Sequence, residues 1–164
     1  MAFELPDNLH PDCGPIAWML GTWRGNGHGD YPTIEKFTYG EELIFTHDGR
    51  PFFHYFSRAW ITDEQGQKVR EAHLETGFLR AVGDGRLELV LNHNTGQSEI
   101  WYGMAEGGKV ELQTAGVSFT ETAKEVTSGH RMYGNVEGDL LYAYDMEAQG
   151  EELQPHRWAR LKRA

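Results

Sequence analysis

The stretch "REAHLETGFL", Arg70 to Leu79, decides the fold class because its side chains alternate along the chain. One face would carry Ala72, Leu74, Thr76 and Phe78, and the other Glu71, His73 and Glu75. A repeat of two residues is that of a β-strand whose two faces differ. The same alternation recurs in residues 87–92 and 110–113. These segments are therefore predicted to be half-buried strands.

Short glycine-bearing segments separate the strand patterns. They read "DEQGQ", "GDG", "NTG", "EGG" and "EGD", and such segments close antiparallel hairpins. Their spacing predicts about ten strands. Because free sheet edges promote association between chains, a meander of many strands commonly closes on itself. We predict an all-β fold, an antiparallel barrel of roughly ten strands, wide enough to leave a ligand cavity.

The chain length of 164 residues fits one domain, spanning residues 1–164. Residues 1–20 are predicted to form an irregular arm with a short helical turn at "PIAWML", where Pro15 suits the first helical position. Residues 21–163 would form the barrel.

Charge and composition exclude several classes of function. The formal net charge of −10 opposes binding to nucleic acid. No apolar stretch approaches the roughly 18 to 20 residues that span a bilayer, so no membrane partner is predicted. Cys13 is a single cysteine, and the N-terminus lacks a basic region followed by an apolar run, so we expect an unprocessed cytoplasmic protein. The sequence leaves open whether the barrel forms a homodimer.

The segment "GTWRGNG", Gly21 to Gly27, places glycines at alternate positions of a strand, which suits a bend or a close backbone approach. It is not a phosphate-binding loop, because no Lys-Ser/Thr pair follows it. Trp23 is predicted to plug one end of the barrel. Arg160, on the last strand, would lie over its indole ring as a cation–π partner.

Together with "YPTI" at 31–34, "AKEVT" at 123–127, "LQPH" and "ARLKR", this segment resembles the nitrobindin family from about Leu20 to Arg163. The resemblance implies a lipocalin-like or fatty-acid-binding-protein-like barrel that holds haem b through one histidine of the last strand. His156 would be that proximal iron ligand and the catalytic residue, and Thr33 and Lys124 would contact the haem. The implied activities are binding of nitric oxide and conversion of peroxynitrite to nitrate at ferric haem.

The residues around His156 bear on this implied role. Pro155 would stiffen the start of the strand and limit the freedom of the imidazole. The sequence departs from the family pattern at Arg157 and Trp158, where a leucine and a small or polar residue are typical. Strand parity would place Trp158 on the face of His156. Its indole would then pack beneath the haem or fill part of the cavity and exclude it.

The same cavity could instead serve a non-enzymatic carrier of a small apolar ligand, without haem. His28 fits an exposed loop better than the distal side of a haem. The remaining histidines show no paired metal-ligand spacing, so a zinc site is not predicted. Glu41 and Glu42 would point to opposite faces of a strand and are interpreted as solvated charge rather than as catalytic carboxylates.

Overall fold

The computed structural model describes residues 3–164 as one 3₁₀ helix followed by ten strands. The helix spans Pro11–Met19, and the strands are β1 Gly21–Tyr31, β2 Ile34–Thr46, β3 Phe52–Thr62, β4 Lys68–Ala81, β5 Arg86–His93, β6 Gln97–Glu106, β7 Lys109–Phe119, β8 Val126–Val136, β9 Asp139–Ala148 and β10 Gln154–Arg163. None of the described helical residues forms a segment long and apolar enough to cross a membrane.

The ten strands form a closed barrel in which each strand pairs antiparallel with its neighbours in sequence. The first and last strands close it, with Trp23 opposite Arg163 and Gly29 opposite Arg157. Closure gives both edges a hydrogen-bonded partner. The predicted ten-stranded antiparallel barrel is thus confirmed.

The predicted hairpin segments coincide with turns between consecutive strands. "DEQGQ" joins β3 to β4, and "NTG" joins β5 to β6. Gly66 and Gly96 have φ values of 79° and 101°, a backbone conformation that side-chain-bearing residues rarely adopt. Glycine in these two turns therefore avoids the strain that a side chain would add.

Trp23 plugs one end of the barrel, as predicted. Its side chain is fully buried, and its Nε1–H donates to the carbonyl oxygen of Met19 at 2.8 Å. The residue over the indole is Arg163, whose Cζ lies 4.1 Å from the ring centroid. The prediction of Arg160 was wrong, because Arg160 points outward and its Nε donates to Asp139 at 2.6 Å. A bulge near the start of β10 shifts the parity of the strand, so that Arg157 and Arg163 face inward.

The helix differs from the prediction at its start. It begins at Pro11, so Pro15 lies inside it and not at its first position. The His10 Nδ1 accepts the Asp12 N–H at 3.1 Å and caps the first turn. Met19 is buried at the last position and links the helix to the Trp23 end of the barrel.

The alternation in β4 holds from Leu74 onward, although the faces are arranged in an unexpected way. It was wrong before that point, because the register with β3 shifts and the consecutive residues Ala72 and His73 both line the cavity. Leu74 and Phe78 are 44% and 47% exposed on the outside, whereas Glu75 is 2% exposed inside. The apolar character of a side chain therefore does not identify the inner face of this strand. The reason lies in the polar side chains that fill the barrel at this level.

Candidate functional site

A cavity of about 840 Å³ lies at the end of the barrel where β1 turns into β2. It is lined by all three residues predicted for the site, His156, Thr33 and Lys124. Its volume is within the range of about 300 to 1,000 Å³ of small-molecule sites. The barrel therefore has one end plugged by Trp23 and a second end that can admit a ligand.

His156 is held in one orientation by the chain around it. Its Nδ1–H donates to the backbone carbonyl of Asp30 at 3.1 Å, since a carbonyl can only accept. The rings of Tyr31, Phe37 and Tyr144 surround the imidazole, with centroid distances of 5.5, 6.4 and 5.8 Å. With the proton on Nδ1, the lone pair is on Nε2. The imidazole thus has the tautomer in which Nε2 is free to bind a metal.

The environment of His156 also keeps it neutral. Burial, and then the positive charge of Arg157, lower its pKa from 6.5 to about 4. A neutral imidazole is the form that ligates iron. Near pH 7, therefore, no proton has to leave before His156 can act as a ligand.

The bulge between Pro155 and Arg157 decides which side chains of β10 reach the cavity. Both His156 and Arg157 line it, although they are consecutive. Trp158 lies outside, 42% exposed, and its ring stacks on His28 with a centroid distance of 6.1 Å. The prediction that Trp158 shares the face of His156 was wrong, because a bulge adds a residue that strand parity does not count. Trp158 does not fill the cavity.

His28 is exposed, as predicted, but it lies on β1 and not in a loop. It pairs with Trp158 on the neighbouring strand, on the outer surface of the barrel. A distal role for His28 inside the cavity is therefore wrong.

Thr33 and Lys124 belong to two connections that meet at the cavity mouth. Thr33 lies in the turn between β1 and β2, and Lys124 in the segment between β7 and β8. The Gln97 side-chain amide donates to the Lys124 carbonyl at 2.9 Å and fixes the backbone there. Both side chains are exposed at the mouth, close to where a ligand would enter.

The inner part of the barrel carries a buried ion pair that the sequence did not reveal. The Arg131 guanidinium donates to both oxygens of Glu75 at 2.9 and 3.0 Å, and the Tyr55 hydroxyl donates to Glu75 at 2.7 Å. Burial by itself would raise the pKa of Glu75, but Arg131 holds it well below its usual range. Glu75 is therefore charged and fully paired inside the barrel.

Glu41 and Glu42 point to opposite faces, as predicted, but neither is solvated. Glu41 is inside the barrel, 2% exposed, and accepts a hydrogen bond from Ser57 at 3.2 Å. Glu42 is 6% exposed on the outer face, where Arg24 and Arg58 cover it. The interpretation as solvated charge was wrong, because long arginine side chains on neighbouring strands shield Glu42 from water.

Two histidines that looked unrelated in sequence are in contact at the cavity wall. The His73 Nε2 lies 2.9 Å from the His93 Nδ1, and the His93 Nε2 is hydrogen-bonded to Glu99. The cause is the pairing of β4 with β5, in which Glu75 lies directly opposite His93. Only this register brings the residues together, so no local motif could have identified the contact.

Donor atoms of His73, Glu75 and His93 lie within 4.8 Å of one another, a separation that could suit a metal ion. However, Glu75 already accepts two hydrogen bonds from Arg131, and its Oε2 lies 3.9 Å from Arg157. Two guanidinium charges next to the carboxylate oppose a divalent cation. Burial also lowers the pKa of His73, so that it is neutral. The cluster is better described as a hydrogen-bonded polar wall of the cavity.

With this geometry, comparison with known proteins identifies the family. A sequence model described as THAP4-like, heme-binding beta-barrel domain matches residues 12–163. The chain belongs to this family.

Similar proteins carry two kinds of name. A Nocardioides protein named peroxynitrite isomerase is 71% identical over 163 residues, 99% of each chain. A Salinispora arenicola protein of the same name is 49% identical, covering 94% of this chain and 82% of that one. A ferric nitrobindin-like protein of Cutibacterium acnes is 40% identical over the full length of both. The resemblance to nitrobindins is thus confirmed.

A solved structure shares the fold. The crystal structure of Rv2717c from M. tuberculosis is 37% identical in sequence and superposes with a TM-score of 0.84, covering 95% of this chain and 99% of that one.

The residues present fit a haem group of the kind that the family description names. One neutral, oriented imidazole nitrogen faces a cavity of ligand size, and aromatic rings hold it in place. Haem iron is commonly held by one such histidine.

Proposed function

We propose that this protein binds haem b through the Nε2 of His156 and isomerises peroxynitrite to nitrate. The observation that carries the proposal is the Nδ1–H bond to the Asp30 carbonyl, which leaves Nε2 unprotonated at the cavity. The names of the Nocardioides and Salinispora proteins support the choice of reaction. Isomerisation needs no electron donor, because peroxynitrite and nitrate have the same atoms and charge.

The haem, when bound, would supply ferric iron with a coordination position for peroxynitrite or nitric oxide. The chain supplies the orientation and charge around it. His156 would hold the iron from one side, and its contact with Asp30 keeps the imidazole from rotating. The ammonium group of Lys124 at the mouth would either pair with a haem propionate or attract the anionic oxidant. Thr33 would contribute a hydroxyl donor on the same rim.

A carrier of an apolar ligand, without haem, is not favoured. The family description names haem binding. In addition, the inner cavity wall includes the charged side chain of Arg157 and the polar cluster of His73 and His93. An apolar molecule would have to desolvate these groups without giving them hydrogen bonds.

The reaction can be tested by mixing haem-loaded protein with peroxynitrite and measuring its decay and the nitrate formed. We expect the decay rate to rise in proportion to haem-loaded protein, with nitrate as the main product. His156→Ala should reduce the rate to that of the same concentration of haem in buffer. His28→Ala, an exposed histidine of the neighbouring strand, is the matched control and should retain the wild-type rate.

A wild-type rate no greater than that of free haem would refute the isomerase proposal. An unchanged rate in His156→Ala would refute the assignment of this residue.

A further inference from the structure

Arg157 is a buried charge without a hydrogen-bonded partner among residues 3–164, and its Cζ lies 5.3 Å from the centroid of the uncharged Tyr144 ring. Its side chain is 9% exposed and lines the cavity. Its Nε has no hydrogen-bond partner among residues 3–164, and the oxygen of Glu75 lies 3.9 Å from its NH2 group, beyond hydrogen-bond range. Burying a cation in this way is costly unless an anion or a hydrogen-bond acceptor compensates it.

Arg131, in the same barrel, is a buried arginine whose charge is balanced by a carboxylate. Its side chain is 4% exposed and its Nε likewise lacks a hydrogen-bond partner among residues 3–164, but its two terminal nitrogens donate to both oxygens of Glu75, whereas those of Arg157 have no such acceptor. The negative charge of Glu75 is therefore already balanced by Arg131. Glu75 lies farther from Arg157, at 3.9 Å, and does not accept a hydrogen bond from it. Two arginines thus lie near the single carboxylate of Glu75, which is hydrogen-bonded to Arg131. The positive charge of Arg157 is therefore not balanced by Glu75.

The other titratable groups around Arg157 do not supply the missing negative charge. The hydroxyls of Tyr39 and Tyr142 bond to each other at 2.7 Å, and burial raises the pKa of both, so they are neutral. Burial likewise raises the pKa of Glu41 and disfavours its charged form. Glu99 is bound to His93. His156 and His73 cannot supply a negative charge, because an imidazole is either neutral or cationic.

We propose that Arg157 is the binding group for a small oxyanion, such as nitrate, inside the cavity next to His156. A guanidinium group is planar and presents parallel N–H donors, which match two oxygens of a planar oxyanion. The bulge in β10 places this donor set beside the imidazole, since both consecutive side chains enter the cavity. The site rests on Arg157 alone, whereas the choice of nitrate rests on the proposed function, in which nitrate is the product.

The site can be tested on the protein without haem, which separates it from the haem proposal. Nitrate is titrated at constant ionic strength against chloride, and the ¹⁵N and ¹H resonances of the arginine Nε–H groups are followed by NMR. We expect one buried Nε–H signal, assigned to Arg157 by its absence in Arg157→Met, to shift in a saturable way. Arg157→Met should weaken nitrate binding by about tenfold or more, the scale of a charge-assisted bidentate contact.

Arg160→Met is the matched control, because Arg160 is an arginine of the same strand that points outward. It should bind nitrate like the wild type. If Arg157→Met folds poorly, Arg157→Lys, which keeps the positive charge but lacks the guanidinium Nε–H, supplies the assignment of the wild-type signal instead. No saturable shift of the Arg157 signal, or unchanged binding in a folded Arg157→Met, would overturn the proposal and leave water as the partner of the guanidinium.

A haem propionate has the same oxyanion chemistry, and a second arm distinguishes it from free nitrate. Haem and its dimethyl ester are titrated into wild type and Arg157→Met. We expect esterification to change the haem affinity by the same factor in both proteins. A loss confined to the wild type would show that Arg157 holds a propionate, and it would overturn the nitrate site while leaving haem binding through His156 intact.

Discussion

The two ends of this barrel handle polar groups in opposite ways. At the closed end, the indole N–H of Trp23 is bonded to Met19, and Arg163 donates to the carbonyl of Trp18 at 2.8 Å while lying over the ring. At the open end, His156 keeps a free nitrogen and Arg157 an unbonded Nε beside a cavity of about 840 Å³. Apart from the Trp18 indole N–H, which has no partner among residues 3–164, these groups at the closed end are bonded to one another without a ligand. At the open end, the unpaired nitrogens of His156 and Arg157 can be paired only by a ligand or by water.

The largest expected effect is on stability at the closed end. Trp23→Ala removes a fully buried indole and should lower the free energy of unfolding by about 3 to 5 kcal/mol. Chemical denaturation followed by circular dichroism measures this. A loss below about 1 kcal/mol would mean that Trp23 does not plug the barrel.

The two buried arginines should respond differently to the same substitution. Arg131→Met leaves the charge of Glu75 buried without its main partner and should cost about 3 to 5 kcal/mol. Arg157→Met removes a charge that has no bonded partner and should have little effect or stabilise the protein. The two unfolding free energies, measured in nitrate-free buffer, provide the comparison. Equal losses would contradict the view that only Arg131 is paired.

The pH dependence of the open end follows from His156. Its folded-state pKa, about 4, is below the ordinary 6.5, so between these values the unfolded chain binds more protons than the folded one. Stability should therefore fall by about 2 kcal/mol as the pH drops from 6.5 towards 4. His156→Ala should lose this part of the pH profile, which denaturation at several pH values would reveal. Identical profiles in the two proteins would contradict the lowered pKa.

The smallest expected effect is at Trp158. Because this ring lies outside the barrel against His28, Trp158→Ser should change haem affinity less than twofold and stability by about 0.5 kcal/mol. Haem titration and denaturation check both values. A marked gain in haem affinity would mean that the indole occupies the cavity.

The sequence predicted the architecture because its signals are local. The strand at residues 87–92 and the turns at Gly66 and Gly96 can each be identified from a few consecutive residues. Closure of the barrel then follows from the number of strands. The resemblance then directed attention to His156, Thr33 and Lys124, which the structure places around one cavity. Their contacts with haem remain predictions.

What the sequence did not predict depends on register and on the bulge. The bulge at Pro155 to Arg157 reverses the parity of β10, so Trp158 is outside and Arg163, not Arg160, covers Trp23. Pro155 is the one signal in "LQPHRW" for this insertion, because a proline cannot donate a hydrogen bond to the neighbouring strand and is found at bulges or strand starts. Glu75 is inside the barrel because Arg131 lies across the lumen, 56 positions away. Such long-range pairs cannot be identified from alternation in a single strand.

Haem binding at the open end through His156 can be measured directly by a haem titration followed by Soret absorption. Wild type and the His28→Ala control should both show a saturable, shifted Soret band at one haem per chain. His156→Ala should lose the shift while its circular dichroism spectrum remains that of a folded barrel. An unchanged Soret shift in folded His156→Ala, or no shift in the wild type, would contradict haem ligation by His156.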